Sequence, residues 1–366
     1  MARYVRFRDF DWVLMIFVLI ICALGIVEIY SATRNTKFED ANLQVKQVYW
    51  IIAGMILMFL VSLVNYQTLL EQVHWMYGLS IISLLAVMIF GRRYLGAKRW
   101  IAMPGGWHLQ PSEWVKLVLI LTMAKYFAEY HDRELSFKEL VKAGAIVAIP
   151  MLMVLKQPDL GTALTYLPIA VMALFLGGMK LKHVLVMVLV AGVLMPVVWH
   201  FGLKPYQKDR LTSFVEPEAD AKGAGYQVIQ SLVAVGSGGL WGKGIAKGTQ
   251  TQGQFLPVTH TDFIFAAWSE EHGFVGAAAV LLLYFMVLMR LIHNAQTAPD
   301  RAGTFVVMGV VAVLTFHVLV NVGMVVGFMP VTGIPLPLMS YGGSSILFMF
   351  LALGIVMNVR MRRFVN

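Results

Sequence analysis

The sequence predicts an all-α polytopic membrane protein with about ten transmembrane helices and a large extracytoplasmic loop before the eighth. Composition gives the first indication, because 59% of the residues are hydrophobic and only 13% are charged, against about 25% charged in soluble proteins. The second is a series of ten apolar runs, each approaching the ~20 residues needed to cross hydrocarbon. The third is the presence of arginines at both ends of the chain, which the positive-inside rule assigns to the cytoplasm.

The apolar runs follow one another without a change in composition that would mark a second domain. They are Trp12–Tyr30, Val48–Val64, Val73–Phe90, Val115–Phe127, Leu140–Leu155, Leu160–Leu176, Val184–Phe201, Phe274–Leu291, Thr304–Gly327 and Ser345–Val359. The runs at Val115 and Leu140 are the shortest. We therefore expect one integral membrane domain over residues 1–366, with residues 203–262 as the long extracytoplasmic loop.

The first run is expected to be a retained transmembrane helix. It follows Arg3, Arg6 and Arg8 as a signal peptide would, but it is long and no A-x-A-like cleavage site follows it. Cys22, inside this run, is the only cysteine, so the chain cannot form an internal disulfide. We expect packing alone to hold the external loops.

Basic residues are unexpectedly frequent in the loops on the predicted outer side. They are Arg92, Arg93, Lys98 and Arg99 in one loop and Lys204, Lys208, Arg210, Lys222, Lys243 and Lys247 in another. Either the spans are miscounted or these residues bind an anion. Phosphate is the natural ligand, since arginine offers bidentate donors and lysine a point charge. No glycine spacing matches a nucleotide-binding loop, and no nucleic acid partner is expected.

Two predicted helix starts carry acidic residues. Glu113 and Lys116 are three residues apart, share a helix face and can pair. Lys116 lies within an apolar run, where an ionisable group suggests function and needs a partner, so a site role and a structural pair both stay open. Asp159 precedes another run and is either a helix N-cap or a residue that holds a metal or orients a basic group.

Two segments are rich in residues that break regular structure. Residues 223–244 contain many glycines, which let backbone approach a ligand closely or adopt positive φ; a flexible lid is the alternative. Residues 330–337 combine glycine with proline, which suggests broken or re-entrant backbone at membrane depth. A simple tight turn would give the same pattern.

The segment Pro257–Phe265 is the strongest candidate for a reactive site. It places Asp262 beside His260 and Thr261 at the end of the long polar loop, where an apolar helix resumes. A carboxylate at the membrane rim, on a basic loop, suits chemistry on an anionic lipid-linked substrate. The alternative is that Asp262 and Thr261 cap the helix.

Six motifs in order along nearly the whole chain resemble the SEDS family of bacterial cell-wall polymerases. They are Gly96–Trp100, Gln110–Glu113, Gln157–Thr162, Gly225–Ser231, His260–Phe265 and Pro335–Gly343. Each motif alone is weak, but six in register are specific. The chain length and the wording of the motifs are more similar to the elongation members of the family than to the division members.

The resemblance implies a peptidoglycan glycosyltransferase that polymerises lipid II into glycan strands on the outer face of the cytoplasmic membrane during cell elongation. Asp262 matches the family's essential acid. The positions matching its other important polar residues include Arg99, Glu113, Lys116 and Asp159, and Lys46 stands where many relatives have arginine. Further substrate contacts are expected at Arg210, Gln230, His260 and Ser340.

The mechanism expected from this resemblance is one inverting displacement with undecaprenyl pyrophosphate as leaving group. Asp262 would act as general base. Arg99, Lys116, Arg210 or a divalent cation would stabilise the pyrophosphate. The cation would be Mg²⁺ or Mn²⁺, with Asp262 and Asp159 as candidate ligands.

The same resemblance implies location and partners. The chain is expected in the bacterial cytoplasmic (inner) membrane as a multi-pass protein with both termini in the cytoplasm. Expected partners are a class B penicillin-binding protein, which is a transpeptidase, other membrane proteins of the elongation complex, lipid II and membrane lipid. Two other functions stay open: a lipid II flippase or other transporter, and a scaffold for a transpeptidase.

Overall fold

The structure is a computed structural model that describes residues 9–363 apart from 35, 37, 95, 96, 104–106, 131–134, 221 and 222. Several residues singled out above lie outside the described residues: Arg3, Arg6, Arg8, Gly96 and Lys222. The described chain is mostly helical, as predicted, with one small antiparallel sheet. The sheet consists of β1 (Arg92–Tyr94), β2 (Ala97–Met103) and β3 (Trp107–Leu109).

The described part of the chain contains fifteen α-helices. They are α1 (Trp12–Thr33), α2 (Leu43–Leu63), α3 (Tyr66–Glu71), α4 (Val73–Phe90), α5 (Pro111–Ala128), α6 (Phe137–Lys156), α7 (Leu160–Leu164), α8 (Leu167–Leu176), α9 (Leu181–Val197), α10 (Pro205–Val215), α11 (Ala224–Ser237), α12 (Thr249–Gln252), α13 (Ile264–Gln296), α14 (Arg301–Val325) and α15 (Gly343–Met361).

Every predicted apolar run lies almost wholly on these helices. Six helical segments in the described chain are long and apolar enough to cross a membrane by themselves. They are Trp12–Thr33, Glu39–Leu63, Val73–Phe90, Ile264–Gln296, Arg301–Val325 and Gly343–Met361. Leu160–Leu176 and Leu181–Val197 are shorter apolar helices. The chain is thus a multi-pass membrane protein, and the total of ten spans stays a prediction.

Helices α14 and α15 form the centre of the bundle, and α4 lies at its edge. In α15, 78% of the most apolar stretch is buried, against 22% in α4. The outer face of α4 exposes large apolar side chains such as Trp75, Ile82 and Phe90, as expected of a surface that faces lipid. At the centre, a Cβ on Gly354 of α15 would lie 2.8 Å from Met58 O of α2. Only glycine permits this close approach of two helices.

Helix α13 is broken at Gly273, whose φ of 66° and ψ of −166° are not helical. The glycine-rich segment after α11 fills this break. The amides of Lys243 and Gly244 donate to the carbonyls of Glu270 and Glu271 at 3.1 and 2.9 Å. Beyond the break, Phe274 N donates to Gly239 O at 2.8 Å. The backbone groups freed by the break are therefore satisfied, and these glycines pack against a helix instead of forming a free lid.

The segment between α14 and α15 is irregular, as the proline and glycine pattern predicts. Residues 326–342 contain no helix or strand. Buried side chains of other elements donate to its carbonyls: Gln47 to Ser340 O at 2.9 Å, Tyr284 to Pro337 O at 2.5 Å and Asn321 to Ile334 O at 2.8 Å. Irregular backbone inside a membrane protein requires this kind of internal satisfaction.

Candidate active site

Asp262 lies in the turn that leads into α13, between the irregular segment and α10. The N-cap of α13 is Phe263 and has no side-chain capping hydrogen bond, so the helix-cap alternative for Asp262 is wrong. A Cβ on Gly333 would lie 3.3 Å from Asp262 Oδ2 and 3.8 Å from Arg210 Nη1. The carboxylate and the guanidinium therefore both lie close to this glycine, whose φ of 73° also disfavours any side chain there.

Burial and two nearby arginines have opposite effects on the pKa of Asp262. Burial is the largest influence and raises the pKa of this carboxyl above its ordinary value. The positive charges of Arg210 and Arg99 and a hydrogen bond with Thr261 act in the opposite direction, and the charge of Asp159 adds to the rise. The net rise makes Asp262 a stronger base than a solvated aspartate, which suits proton abstraction.

Arg99 on β2 is fixed by the turn that precedes α7. Its Nη2 donates to Pro158 O at 2.8 Å, and its Nη1 lies 3.5 Å from Asp159 Oδ1. The side chain of Arg99 is 34% exposed and that of Asp159 only 5%. Arg99 is thus anchored by a buried carboxylate while its side chain stays partly exposed.

Asp159 is the N-cap of α7 and also pairs with Arg99, so it both caps a helix and orients a basic group. Its Oδ1 accepts from Thr162 N at 3.2 Å, and its Oδ2 accepts from Gln110 Nε2 at 2.8 Å and from Thr162 Oγ1 at 3.0 Å. Together with Arg99, these donors saturate the carboxylate. Asp159 therefore does not offer a second ligand to a divalent cation bound at Asp262.

The side chains around Asp262 fit a divalent cation only if the substrate and water supply most of its ligands. Asp262 would provide a single carboxylate, and the remaining oxygens would come from substrate phosphates and water. Mg²⁺ commonly binds in this way, through one or two carboxylates and substrate phosphates. A cation at Asp262 remains a prediction on these grounds.

Glu113, Lys116 and His317 form a second group, which we call the Lys116 cluster. Lys116 Nζ lies 2.8 Å from Glu113 Oε2 and 3.3 Å from His317 Nε2. His317 Nδ1 lies 3.2 Å from Pro335 O, so a proton on Nδ1 lets His317 accept from Lys116 and donate to Pro335. The predicted pair forms, but the Lys116 side chain is 0% exposed and supports the irregular segment from within.

His260 and Ser340 hold the Asp262 turn from the side of the irregular segment. Ser340 Oγ donates to Thr261 O at 2.6 Å and accepts from Leu336 N at 2.8 Å. His260 packs its ring against Phe38, with centroids 4.8 Å apart. Burial lowers the pKa of His260 to about 4, so this histidine is neutral at physiological pH and is not a cationic phosphate ligand.

Two of the remaining predicted contacts, Gln230 and Lys46, are less closely tied to this group. Gln230 lies half-buried on α11 and Lys46 is exposed near the start of α2, whereas Arg210, half-buried on α10, lies near Asp262 beside Gly333. Within the described residues, no side-chain hydrogen bond or ion pair joins Lys46 or Gln230 to Asp262. Their predicted roles in substrate binding are not tested by this geometry.

Sequence reasoning missed three residues that shape the site. Gln47 bridges Ser340 O and Gly342 N, at 2.9 and 3.3 Å. Asn321 Nδ2 donates to Asp262 O and to Ile334 O, both at 2.8 Å. Gln110 holds Asp159. For Asn321, the available signal is a polar amide inside the apolar run Thr304–Gly327, because such a group needs a partner at membrane depth. Gln47 and Gln110 lie just before apolar runs, and Gln110 begins one of the six motifs.

Comparison with known proteins agrees with this site and fold. A family model described as cell cycle protein, for FtsW, RodA and SpoVE, matches residues 11–364. The chain is 33% identical over 427 residues to the peptidoglycan glycosyltransferase RodA of Treponema pallidum (strain Nichols), covering 97% of this chain and 98% of the relative. It is 35% identical over 356 residues to the peptidoglycan glycosyltransferase MrdB of Escherichia coli (strain K12), covering 96% and 94%.

Solved structures give the same answer. One chain of a peptidoglycan synthase complex, solved in a study of how polymerization and crosslinking are coordinated, has a TM-score of 0.83 at 34% identity, covering 98% of this chain and 99% of that one. The rod shape determining protein RodA of Thermus thermophilus has a TM-score of 0.72 at 30% identity, covering 98% of each chain. The chain therefore belongs to the SEDS family, the family of FtsW, RodA and SpoVE.

Proposed function

We propose that this chain is a peptidoglycan glycosyltransferase that polymerises lipid II into glycan strands on the outer face of the cytoplasmic membrane. Relatives named as such enzymes match nearly its full length, and the solved structure of a rod shape determining protein RodA is similar to it. The observation that carries the proposal is the partly buried Asp262 carboxylate, which shares one small region with Arg210 and Arg99.

The proposed reaction is a single displacement at C1 of the donor sugar. Asp262 takes the proton of the C4 hydroxyl of the acceptor, and the oxygen attacks C1 as the C1–O bond to pyrophosphate breaks. The configuration inverts, and the pyrophosphate keeps the bonding electrons. General base catalysis of this kind contributes about 10²–10⁴-fold.

Arg99 and Arg210 are proposed to receive the negative charge of the leaving pyrophosphate. Arg99 supports this role because Pro158 and Asp159 fix part of its guanidinium while the side chain stays 34% exposed. Fixed donors stabilise developing charge without reorganising during the reaction. Lys116 and Glu113 act as positioning residues in this proposal, through His317 and the carbonyl of Pro335.

A Mg²⁺ or Mn²⁺ ion is proposed as an additional source of positive charge on the phosphates. Asp262 would hold it together with phosphate oxygens of the substrate. This use of Asp262 competes with its use as a base, so the cation would have to leave one carboxylate oxygen free. Polymerisation after chelation and after readdition of each ion measures this contribution.

A class B penicillin-binding protein is the proposed partner. The related chain with a TM-score of 0.83 is part of a peptidoglycan synthase complex, and a polymerase and a transpeptidase act on the same glycan. We infer a location in the bacterial cytoplasmic membrane with both termini in the cytoplasm. Basic side chains near the C-terminal end of α15, including Arg360 and Arg362, support this orientation.

The test compares Asp262→Asn with Asp159→Asn in the chain purified with its partner transpeptidase and supplied with lipid II. Glycan products are resolved on a gel. We expect long strands from the wild type, none from Asp262→Asn, and reduced but detectable strands from Asp159→Asn, because Asn still caps a helix. Polymer from Asp262→Asn would overturn the general-base assignment. Movement of lipid II across vesicles without any polymer would favour a transporter.

A further inference from the structure

A third group, of acidic and imidazole side chains, lies between α1 and the broken helix α13. It consists of Glu28, Glu271 and His272, which we call the Glu28 cluster. One candidate ligand atom from each residue lies within 4.8 Å of the others. Glu28 is 0% exposed and Glu271 is 1% exposed, so both carboxylates are removed from water.

Three of the four oxygens of these carboxylates lack the hydrogen-bond donors that buried acids normally have. Neither oxygen of Glu28 has a hydrogen-bond partner among the described residues, and Glu271 Oε2 has none either. The nearest basic atom is His272 Nδ1, which lies 3.9 Å from Glu28 Oε2 and 3.3 Å from Trp268 O. Lys243 belongs to the segment that fills the helix break, but its ammonium lies 2.8 Å from Glu270 Oε1 and pairs with that carboxylate.

The other oxygen of Glu271 is fixed by a short chain of hydrogen bonds. Ser31 Oγ donates to Glu271 Oε1 at 2.5 Å and accepts from Ala246 N at 3.1 Å. This arrangement fixes Oε1 and leaves Oε2 without a donor among the described residues. Hydrogen bonds that orient one oxygen of a carboxylate and leave the other free are typical of the surroundings of metal ligands.

We propose that Glu28, Glu271 and His272 bind a divalent transition-metal ion of the Zn²⁺ or Mn²⁺ type. Two buried carboxylates that face each other cannot both carry charge without a positive partner. A divalent cation neutralises both. Imidazole with carboxylate oxygens suits Zn²⁺ and Mn²⁺, whereas Mg²⁺ and Ca²⁺ prefer all-oxygen sites.

The histidine provides both orientation and a route of entry. Its ring stacks on Trp268 with centroids 3.7 Å apart and an interplanar angle of 17°, which restricts its rotation. Its side chain is 23% exposed, so an ion can reach the carboxylates past the imidazole. Glu28 lies in the last two turns of α1, at the end that the predicted topology places outside the cell.

The ion would join three parts of the chain. Glu28 belongs to α1, Glu271 and His272 belong to the first half of α13, and Ser31 ties Glu271 to the segment containing Ala246. Asp262 lies just before the start of that same half-helix. The metal is therefore structural and fixes the element that carries the proposed base, without touching the substrate.

The test measures metal in the purified full-length chain after chelation and incubation with Zn²⁺ or Mn²⁺. We expect about one equivalent in the wild type and in Asp262→Asn, and at least ~10-fold weaker binding in Glu28→Gln and in His272→Ala. His293→Ala is the matched control, because His293 is an exposed histidine on the same helix. It should bind as the wild type does.

A thermal melt of the same samples separates the remaining outcomes. Zn²⁺ should raise the Tm of the wild type and of His293→Ala, and Mg²⁺ and Ca²⁺ should not. Ser31→Ala should weaken binding about 10–100-fold, as expected for loss of an orienting partner. The proposal fails if the wild type binds no ion, or if Glu28→Gln and His272→Ala bind as the wild type does. In that case, a Glu28→Gln variant whose Tm without metal equals that of the wild type would indicate that the two carboxylates share a proton. Because Asp262→Asn keeps the metal, failure here does not depend on the polymerase reaction.

Discussion

The Lys116 cluster and the Glu28 cluster are both buried between helices and both combine glutamate with histidine. They differ in how the negative charge is balanced. In the Lys116 cluster the ammonium is 2.8 Å from Glu113 and 3.3 Å from His317. In the Glu28 cluster two glutamates meet, and three carboxylate oxygens have no donor among the described residues.

The Lys116 cluster therefore has its counter-charge within the chain, whereas the Glu28 cluster does not. A buried ion pair already contains its counter-charge, and breaking it leaves one uncompensated charge. A pair of buried acids requires a proton or a cation from outside. The two clusters should therefore respond in opposite ways to substitution and to added metal.

The largest expected effect is on the Lys116 cluster. Lys116→Leu leaves Glu113 buried without its counter-charge and should lower the free energy of unfolding by about 3–5 kcal/mol. Thermal or denaturant unfolding of the purified chain measures this. The double variant Glu113→Leu with Lys116→Leu should recover most of the loss, because it removes both charges. If Lys116→Leu is as stable as the wild type, the ion pair does not stabilise the fold, and the proposed difference in charge balance between the two clusters is wrong.

The second effect belongs to the Glu28 cluster. With Zn²⁺ at 100 times its Kd, the wild type should gain about 2.7 kcal/mol of stability by mass action. Glu28→Gln should gain nothing, and Lys116→Leu should gain as much as wild type because its metal ligands are intact. Equal gains in Glu28→Gln and wild type would place the ion elsewhere.

A smaller effect is expected at Gly242, which packs against the helix break beside the Glu28 cluster. Its φ is 79°, and an added Cβ would lie 2.1 Å from Glu271 O. Gly242→Ala should therefore cost about 1–3 kcal/mol and weaken Zn²⁺ binding with it. Gly144→Ala is the control, because an added Cβ there meets nothing within 4 Å. Unchanged metal binding in Gly242→Ala would separate the segment from the cluster.

The smallest effect concerns Asp262, which is half-buried and has positive charge nearby. Burial raises its pKa in the folded chain, so its contribution to stability is present below the unfolded pKa of about 3.9 and is lost as pH rises through the folded value. Asp262→Asn removes this loss. Melting temperatures from pH 4 to pH 8 should show the variant at least as stable as wild type at neutral pH, by an amount that shrinks toward pH 4. A variant that is less stable at neutral pH would contradict this sign.

Local patterns in the sequence predicted the helices and the contacts made within one helix turn. The run at Val73–Phe90 coincides with α4, because about twenty apolar residues between polar flanks leave little freedom. The pair of Glu113 and Lys116 and the cap at Asp159 follow from spacings of three residues. The three short strands between α4 and α5 were not predicted, since strands of three to seven residues carry no clear periodicity.

Contacts across the bundle were beyond prediction because no spacing specifies them. Ser31 and Glu271 are 240 residues apart, and Gln47 and Ser340 are 293 apart. Membership of the SEDS family pointed to Asp262 and Arg99, but the support from Gln47 and Asn321 became visible only in the folded chain. Polar residues inside apolar runs indicated that partners exist without indicating which ones.

The irregular segment at residues 326–342 has a consequence for biogenesis. The side chains that satisfy its carbonyls come from Gln47, Tyr284, His317 and Asn321, all of which precede it in the chain. During translation these donors are made before the carbonyls that need them. Helix α15 can therefore pack against helices that were made before it. In a chain truncated before residue 326, those four side chains would have no carbonyl to bind.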